Sequence, residues 1–264
     1  MTGTATGRVT VTEGEERRRH IVVTARRAGS VDVTAIAADL GVSKETVRRD
    51  LSWLARRGLL RRTHGGAYPM QSTGFETTLE SRTRTHVEEK TRIAAAAAGL
   101  LRDAGTVFVD EGHTPQLVAE ALPDDRPLTV ITASLAAAQA LATRPRARVL
   151  LLGGRVRSGT MATVDHWAAR MLSEFAVDLA YLSANGISRE HGLTTPDPTV
   201  SEVKRQAVRV SRRRVFCGVH AKFGAVSLCR FAEARAFETI VTDIRLPPSE
   251  ARRYALLGPE VLRV

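Results

Sequence analysis

From Val87 onward, short apolar runs alternate with helical patterns, and this alternation constrains the fold more than any other feature of the chain. Apolar runs typical of buried strands occur at 106–110, 128–132, 148–152, 178–183, 214–219 and 238–243. Helical patterns lie at 88–102, 114–121, 134–143, 164–175, 200–211, 227–237 and 249–257. Strands that alternate with helices predict a mainly parallel sheet covered on both faces. Residues 87–264 are therefore predicted to form an α/β domain.

Residues 14–69 have a different pattern, which predicts a smaller and mainly helical domain. Helices are predicted over 14–29, from a Thr34 cap to Gly41, and from a Ser43 cap to Gly58. Ser and Thr favour helix starts, and Gly favours helix ends. A short strand is predicted at 31–33, and a strand, a turn and a second strand within 59–68. The polar stretch 70–86 has no strong period and is predicted to be a linker.

Positive charge is concentrated in the first domain. The formal net charge of +11 favours an anionic partner, most often a nucleic acid. Arginine supplies 35 of the 39 basic residues, a bias that a GC-rich genome also produces, so the distribution is more informative than the total. Residues 1–68 carry 13 basic and 7 acidic residues, whereas the other 196 residues carry 26 and 21.

The cysteines and the apolar runs indicate a cytoplasmic protein without a membrane partner. Cys217 and Cys229 are the only cysteines and form no CxxC pair, so no disulfide framework is expected. The first residues are polar, without the pattern of a secretory signal. The longest apolar run, 93–101, is too short to cross a bilayer.

The third predicted helix has the properties of a helix that enters the DNA major groove. Val47, Leu51 and Leu54 have i, i+4, i+7 spacing and should face the core. The exposed first half then offers Lys44, Thr46, Arg48 and Arg49 to base edges or phosphates, and the Ser43 cap places backbone N–H groups near a phosphate. A charged helix face is also common on proteins that bind no DNA, so this pattern leaves the alternative of a solvated surface open.

The strand–turn–strand that follows is predicted to act as a wing against the DNA backbone. Arg61, Arg62 and His64 lie on it, and Gly65 and Gly66 allow a tight turn.

The first domain resembles the N-terminal winged helix-turn-helix of the DeoR family of bacterial transcription regulators. The motifs that carry the resemblance are Gly-Val-Ser at 41–43, Thr-Val-Arg-Arg-Asp-Leu at 46–51, and Arg-Thr-His-Gly-Gly-Ala at 62–67. The resemblance places the helix-turn-helix at about 31–50. Asp50, in the second motif, is expected to hold Arg49 or a neighbouring backbone group, or to be solvated.

Polar and glycine clusters follow five of the predicted strands, where ligands bind in open parallel sheets. The candidate ligand-binding residues in these clusters are Asp110, Gly112, His113, Thr114, Thr132, Ser134, Gly153, Gly154, Gly186 and Lys222. Thr114 and Ser134 stand where helices should begin, and helix N-termini offer free N–H groups to anions. Together these residues suit a phosphorylated small metabolite. Each cluster taken singly is equally consistent with an ordinary turn.

The second domain resembles the sensor domain of the same family, from about Glu88 to Asp243. The resemblance implies a fold similar to sugar-phosphate isomerases and coenzyme A transferases, and a phosphorylated sugar as effector. It adds Glu202, in the stretch 202–205, to the candidate ligand-binding residues. Three corners depart from the family pattern: Glu111 and His113 in the first turn, Ala133 in the second, and Val219, His220 and Ala221 in the last. Glu111 brings negative charge where the family has a hydroxyl, and protonated His113 and His220 would compensate for lost polar groups.

These observations predict a homo-oligomeric DNA-binding regulator that needs no cofactor. The simplest form of such a regulator is a repressor that its effector releases from DNA. Two other classes stay open: a sugar-phosphate isomerase or deaminase with an attached DNA-binding module, and an adaptor that binds only proteins. The absence of a carboxylate at Val219, beside Lys222, disfavours catalysis. His113, His191 and His220 lack metal-site spacing, and no G-x-G-x-x-G follows the first strand of the second domain.

Overall fold

The computed structural model of the protein describes residues 13–28, 31–63, 65–69 and 79–264. Within these ranges, the side chains of residues 26, 27, 61, 63, 68, 69 and 81 are left out of the description. The contacts divide the chain into two compact units, 1–70 and 71–264, which we describe separately.

The first unit consists of three helices and a small antiparallel sheet, which confirms the predicted winged helix-turn-helix. Its elements are α1 (Glu13–Ala28), β1 (Val31–Asp32), α2 (Val33–Asp39), α3 (Lys44–Arg56), β2 (Leu60–Thr63) and β3 (Gly66–Pro69). The strands pair in the order β1-β3-β2. Val47, Leu51 and Leu54 of α3 are fully buried against Ile21 of α1 and Ile36 of α2, as the helical spacing predicts.

The start of α2 differs from the prediction. Thr34 does not cap this helix; Asp32 does, since its carboxylate accepts hydrogen bonds from the backbone N–H groups of Thr34 (2.7 Å) and Ala35 (3.0 Å). The strand β1 is one residue shorter than predicted, because the chain turns into the helix directly after Asp32.

Gly65 and Gly66 are both required in the wing, for different reasons. Gly65 has φ +89°, a conformation that glycine adopts without strain. Gly66 lies so close to β1 that an added Cβ would stand 2.1 Å from the carbonyl oxygen of Val31.

The second unit is built on a seven-stranded parallel sheet in the order β15-β14-β12-β9-β4-β5-β6. Its first elements are α4 (Leu79–Thr83), α5 (Val87–Ala98), β4 (Thr106–Val109), α6 (His113–Ala121), β5 (Leu128–Thr132), α7 (Leu135–Ala142), β6 (Ala147–Leu151), β7 (Arg155–Arg157), β8 (Ala162–Val164) and α8 (His166–Ser173). The remaining elements are β9 (Val177–Leu182), β10 (Gly186–Ser188), β11 (Gly192–Thr195), α9 (Pro198–Val210), β12 (Ser211–Cys217), β13 (Cys229–Ala232), β14 (Thr239–Thr242), α10 (Pro248–Ala255) and β15 (Glu260–Arg263).

Both faces of the sheet are covered, as predicted. Alternate residues of one strand enter different cores: Phe108 of β4 packs with Leu172 of α8 and Ala207 of α9. Its neighbour Val107 packs on the other face with Ile93 of α5. A parallel sheet that is buried on both faces explains why its strands have continuous apolar sequences.

Other parts of the second unit were missed or predicted wrongly. The helix predicted at 227–237 is wrong: β13 occupies its first part and pairs antiparallel with β11. The prediction also missed β15, the hairpin β7–β8, and the strands β10 and β11, because elements this short show little periodicity. The predicted linker contains α4, whose Leu79 N–H donates to the carbonyl of Gly159 (2.8 Å).

Candidate DNA interface and candidate effector site

The first half of α3 presents basic side chains on a helix that is fixed by its other face. The Ser43 hydroxyl accepts from the Thr46 N–H (3.1 Å), which confirms the predicted cap. Lys44, Arg48 and Arg49 are exposed. Glu45 lies 3.5 Å from Arg48 and 4.0 Å from Arg49. Such exposed ion pairs are weak and are readily exchanged for contacts with phosphate.

A hydrogen-bonded chain joins the wing to this helix. Arg62, which is exposed on β2, donates from Nη1 to the Ser52 hydroxyl (2.7 Å), and Ser52 in turn donates to the Arg48 carbonyl (2.7 Å). Arg61 lies on β2 with only its backbone described, and His64 lies outside the described residues. No local pattern indicated Ser52, because its role depends on a pairing across the fold.

Asp50 is neither solvated nor paired with Arg49. It is buried within α3 and binds two arginines of α1, with Nε of Arg17 at 2.5 Å and Nε of Arg18 at 2.8 Å. The Arg18 guanidinium also lies over the Trp53 ring, 4.3 Å from its centroid, and Arg57 covers the same ring at 4.0 Å. These contacts fix α3 relative to α1 and therefore fix the direction in which its basic face points.

In the second unit, the carboxyl end of β4 carries a buried ionic cluster. Asp110 accepts from the Ser183 N–H (2.9 Å) at the end of the adjacent strand β9. Lys204 of α9 inserts its ammonium group between Asp110, with which it hydrogen-bonds, and Glu111, whose Oε1 lies 3.3 Å away. Lys204 is 2% exposed, Asp110 1% and Glu111 5%. Although burial opposes its charge, the two carboxylates hold the pKa of Lys204 above its ordinary value.

Glu202 was predicted as a ligand-binding residue, but Lys204 is the residue of α9 that reaches this cluster. The residues Val200, Val203, Lys204 and Ala207 form the buried face of α9, and Glu202 is exposed on the opposite side. The helical spacing contains this information, because Lys204 occupies an apolar position of the helix. Glu202 is therefore placed outside the cluster that Asp110 forms.

A second cation approaches the cluster from α4. Arg82 lies 3.8 Å from Oε2 of Glu111. Its carbonyl accepts a hydrogen bond from the ammonium of Lys90, which also donates to the Thr85 carbonyl (2.6 Å). Burial, reinforced by Arg82, lowers the pKa of Lys90 to about 8. These bonds hold the former linker segment against the start of α5 and bring Arg82 to the cluster.

The helix α6 begins at the same turn. Gly112 is its N-cap residue at φ +105° and offers no side-chain cap. His113 and Thr114 are buried in the first turn, as the prediction of a helix start at this point requires. Burial, followed by the nearby Lys90, lowers the pKa of His113, so the ring is neutral near pH 7 and does not supply the positive charge expected of it.

Several other predicted residues have structural tasks at this edge. The Thr132 hydroxyl donates to the Val109 carbonyl (2.7 Å), and the Ser134 hydroxyl caps α7 by accepting from the Ala137 N–H (3.2 Å). Gly186 lies against Ala225, whose carbonyl oxygen would be 2.3 Å from an added Cβ.

Gly153 and Gly154 follow β6 and are exposed. Gly154 has φ +125° and packs against β8, where an added Cβ would stand 2.6 Å from the carbonyl oxygen of Val164. Two strands separate this turn from β9, whose end completes the ionic cluster.

The last turn carries Lys222 and a histidine–carboxylate pair. Lys222 is half-buried in a short 3-10 turn with His220. The Asp243 carboxylate at the end of β14 contacts Nδ1 of His220 (2.8 Å) and accepts from its backbone N–H (2.7 Å). Although burial opposes it, hydrogen bonding to His220 holds the pKa of Asp243 below its usual range.

Two other kinds of feature are absent from the described residues. These residues contain no group of three or more His, Cys, Asp or Glu side chains placed to hold a metal ion. None of their helices has the length and apolarity needed to cross a membrane.

A winged helix-turn-helix with an exposed basic helix, followed by an α/β unit with a polar edge, defines a DNA-binding regulator with a sensor domain. Family comparison agrees: the DeoR-like helix-turn-helix domain matches residues 17–73, and the DeoR C-terminal sensor domain matches 85–244. The chain belongs to the DeoR family, and it is a DNA-binding transcription regulator.

Curated relatives match nearly the whole chain. The glycerol-3-phosphate regulon repressor of Escherichia coli (strain K12) is 30% identical over 234 residues, which cover 89% of this chain and 92% of the relative. The HTH-type transcriptional regulator GlpR of Haloferax volcanii is 34% identical over 247 residues, which cover 94% of this chain and 96% of the relative.

Among solved structures, ribose 5-phosphate isomerase A of Methanocaldococcus jannaschii matches 53% of this chain and 55% of its own. The TM-score is 0.38 and the identity 15%, values too low to support a conclusion about activity.

Proposed function

We propose that the protein is a transcriptional repressor of carbohydrate-related genes, and that a small phosphorylated metabolite binding to the second unit releases it from its operator. The observation that carries the proposal is the capped helix α3, which presents Lys44, Arg48 and Arg49 on a face fixed by the Asp50 ion pairs. The names of the relatives support the choice of repressor and of a phosphorylated effector.

The proposed DNA contacts divide into two kinds. Arg48 and Arg49 on α3 read base edges, and a good bidentate arginine–guanine contact contributes about 1–3 kcal/mol of discrimination. Ser43, Thr46, Arg61, Arg62 and His64 complete the proposed surface and contact mainly phosphates. Arg62 stays in register with α3 through its bond to Ser52.

The test is a gel-shift and footprinting series on the full chain, across several salt concentrations. Arg48→Ala and Arg49→Ala should weaken operator binding and relax the base preference at one position. Arg62→Ala should weaken all sequences alike and lower the salt slope by about one unit. Arg56→Ala, which removes the same charge from the exposed last turn of α3, is the matched control and should bind as the wild type. Operator binding that survives both α3 substitutions unchanged would contradict the proposed interface.

The proposed effector site is the carboxyl edge of the sheet, around the turn from Asp110 to Thr114. Parallel strands bring their carboxyl ends to one edge, and α6 begins there without a side-chain cap, so that its first N–H groups face the site. An effector releases DNA only if it binds the DNA-incompetent arrangement more tightly. A truncated chain of residues 1–70 should keep weak DNA affinity and lose every response to effector.

We also propose that the protein has no enzymatic activity of the isomerase or deaminase type. The residue beside Lys222 that catalysis would require as a carboxylate is the buried Val219. Incubation with a panel of sugar phosphates should give no turnover. Turnover that Lys222→Ala abolishes would favour the enzyme instead.

The proposed assembly is a homo-oligomer that uses the β6 edge of the second unit. In the described part of the chain, β6 pairs only with β5. Large apolar side chains are exposed on β6, on the hairpin β7–β8 and on α8: Leu151, Val156, Met161, Trp167 and Met171. The backbone N–H of Gly153 contacts Sδ of Met171 (3.3 Å), so α8 and the end of β6 are adjacent. These side chains expose roughly 400–500 Å², about half of what one partner buries in a standard interface. A second copy also supplies the second half-site contact that this class of DNA-binding domain needs.

A further inference from the structure

Glu111 stands at the point of the effector site where α6 begins. It lies between Asp110, which ends β4, and Gly112, the N-cap residue of α6. Its carboxylate is turned inward: Oε1 lies 3.3 Å from the ammonium of Lys204, and Oε2 lies 3.8 Å from the guanidinium of Arg82. The side chain is almost fully buried.

The cations around this carboxylate already have carboxylate partners. Lys204 lies between Asp110 and Glu111, and Arg82 lies beside Glu111. Arg157, whose charge also acts on Glu111, is paired with Asp197 at 2.9 Å. Burial, which Lys204 opposes, raises the pKa of Asp110. Although burial opposes ionisation, Lys204 and then Arg82 hold the pKa of Glu111 below its usual range, so it is charged at neutral pH. A phosphate bound here would stand beside the ionised carboxylate of Glu111 and would compete with it for Lys204 and Arg82.

The same corner has a hydrogen-bond acceptor that the protein leaves unused. Among the described residues, no donor hydrogen-bonds Oε2 of Glu111, although that atom is buried. Nδ1 of His113, two residues further on, is buried and also has no hydrogen-bond partner among the described residues. Buried polar atoms in this position are normally satisfied, and an ionised carboxylate accepts hydrogen bonds but cannot donate them. The missing partner of Glu111 is therefore a donor.

We infer that Glu111 determines which part of the effector enters this corner. Its carboxylate occupies the position that an anion would take, and so it excludes phosphate and accepts a hydroxyl or another hydrogen-bond-donating group. The inference rests on the proposed effector site. If the effector is phosphorylated, as proposed, its phosphate lies outside the turn at 110–114, and its hydroxylated end lies within it. Removing the charge of Glu111 converts the same corner into a phosphate site, because Lys204, Arg82 and the start of α6 are then left to bind an anion.

The experiment measures binding of inorganic phosphate to the full-length protein by isothermal titration calorimetry, without DNA. Glu111→Gln keeps the shape of the side chain and removes its charge. It should bind phosphate at least about tenfold more tightly than the wild type, because a like charge within about 4 Å has been removed. Glu111→Ser should also bind phosphate more tightly, and it replaces Glu111→Gln if the amide disturbs folding. Circular dichroism checks the folding of both variants. Glu190→Gln, at an exposed position of the same unit, is the matched control and should behave as the wild type.

A second substitution locates the bound phosphate. Arg82→Gln, added to Glu111→Gln, should return phosphate affinity to the wild-type value if the phosphate lies at this corner. Equal phosphate affinity of the wild type and Glu111→Gln, including no binding by either, would overturn the inference, as would a gain that survives Arg82→Gln. The proposed function fails on a different result: no operator binding, or no compound that alters it.

Discussion

Replacing Lys204 with methionine tests whether the buried ionic cluster exists in solution as described. The substitution keeps the length of the side chain and removes a cation that is 2% exposed from between two carboxylates that are 1% and 5% exposed. Breaking a buried ion pair by removing one partner costs about 3–5 kcal/mol, since an uncompensated charge stays buried. We expect a loss in this range near pH 7, which is a large part of the stability of an ordinary domain.

The loss should depend on pH with a definite sign. In the wild type, the lowered pKa of Glu111 stabilises the fold above the unfolded pKa of a glutamate, and this contribution disappears as pH falls through the folded value. Burial, reinforced by Glu111, already raises the pKa of Asp110 in the wild type, and Lys204 limits that rise. Without Lys204, burial and the mutual repulsion of Asp110 and Glu111 raise the carboxyl pKa of the pair further above the unfolded value. The folded variant then binds more protons than the unfolded chain, and the deficit should shrink by about 1.4 kcal/mol per pH unit on acidification from neutral pH.

The assay is urea unfolding at several pH values between about 7 and 5. Of the two tryptophans, Trp53 lies in the first unit and Trp167 in the second, so a Trp53→Phe background makes fluorescence report the second unit. Arg212→Met, which removes an exposed positive charge from the same unit, is the control and should change stability by no more than about 0.5 kcal/mol. A cost below about 1 kcal/mol for Lys204→Met, with no dependence on pH, would refute the reasoning.

Two further predictions concern the other contacts described above. Asp50→Asn should lower the free energy of unfolding of the first unit by about 1–3 kcal/mol, less than for a fully buried pair because both arginines keep partial access to water. Urea unfolding in a Trp167→Phe background measures this through Trp53, and an unchanged midpoint would mean that the two ion pairs contribute nothing. Trp167→Glu should lower the oligomer mass in sedimentation experiments, whereas the same change at Leu256, which is 82% exposed and lies after α10, should not. Equal masses for wild type and Trp167→Glu would remove β6 and α8 from the proposed interface.

Elements were predictable where burial leaves a clear apolar pattern, either on one face of a helix or along the whole of a central strand. The spacing of Val47, Leu51 and Leu54 determines which face of α3 packs, and so which basic residues are exposed. The apolar strands β4, β5 and β9 are buried on both faces, and their composition alone indicates a parallel sheet. The turns after these strands were located correctly for the same reason: they begin where the apolar runs end.

The partners of the polar residues were not predictable, since they come from distant parts of the chain. Asp50 was expected to be solvated or to act locally, but its partners are on α1, more than thirty residues earlier. The prediction also failed for segments that pair across the fold. The sequence of β13 is helix-like, but the segment forms a strand because β11 lies beside it.

The sequence by itself determined the two units, the class of each fold and the helix that carries the basic face, because local propensity and hydrophobic period act over a few neighbouring residues. Only the tertiary structure decided that Lys204, and not Glu202, meets Asp110 and Glu111, and that Arg82 joins them from a stretch with no periodic signal. The physical reason is that burial makes charge pairing obligatory without specifying from which element the partner comes. That choice depends on which elements the fold brings to the same edge of the sheet.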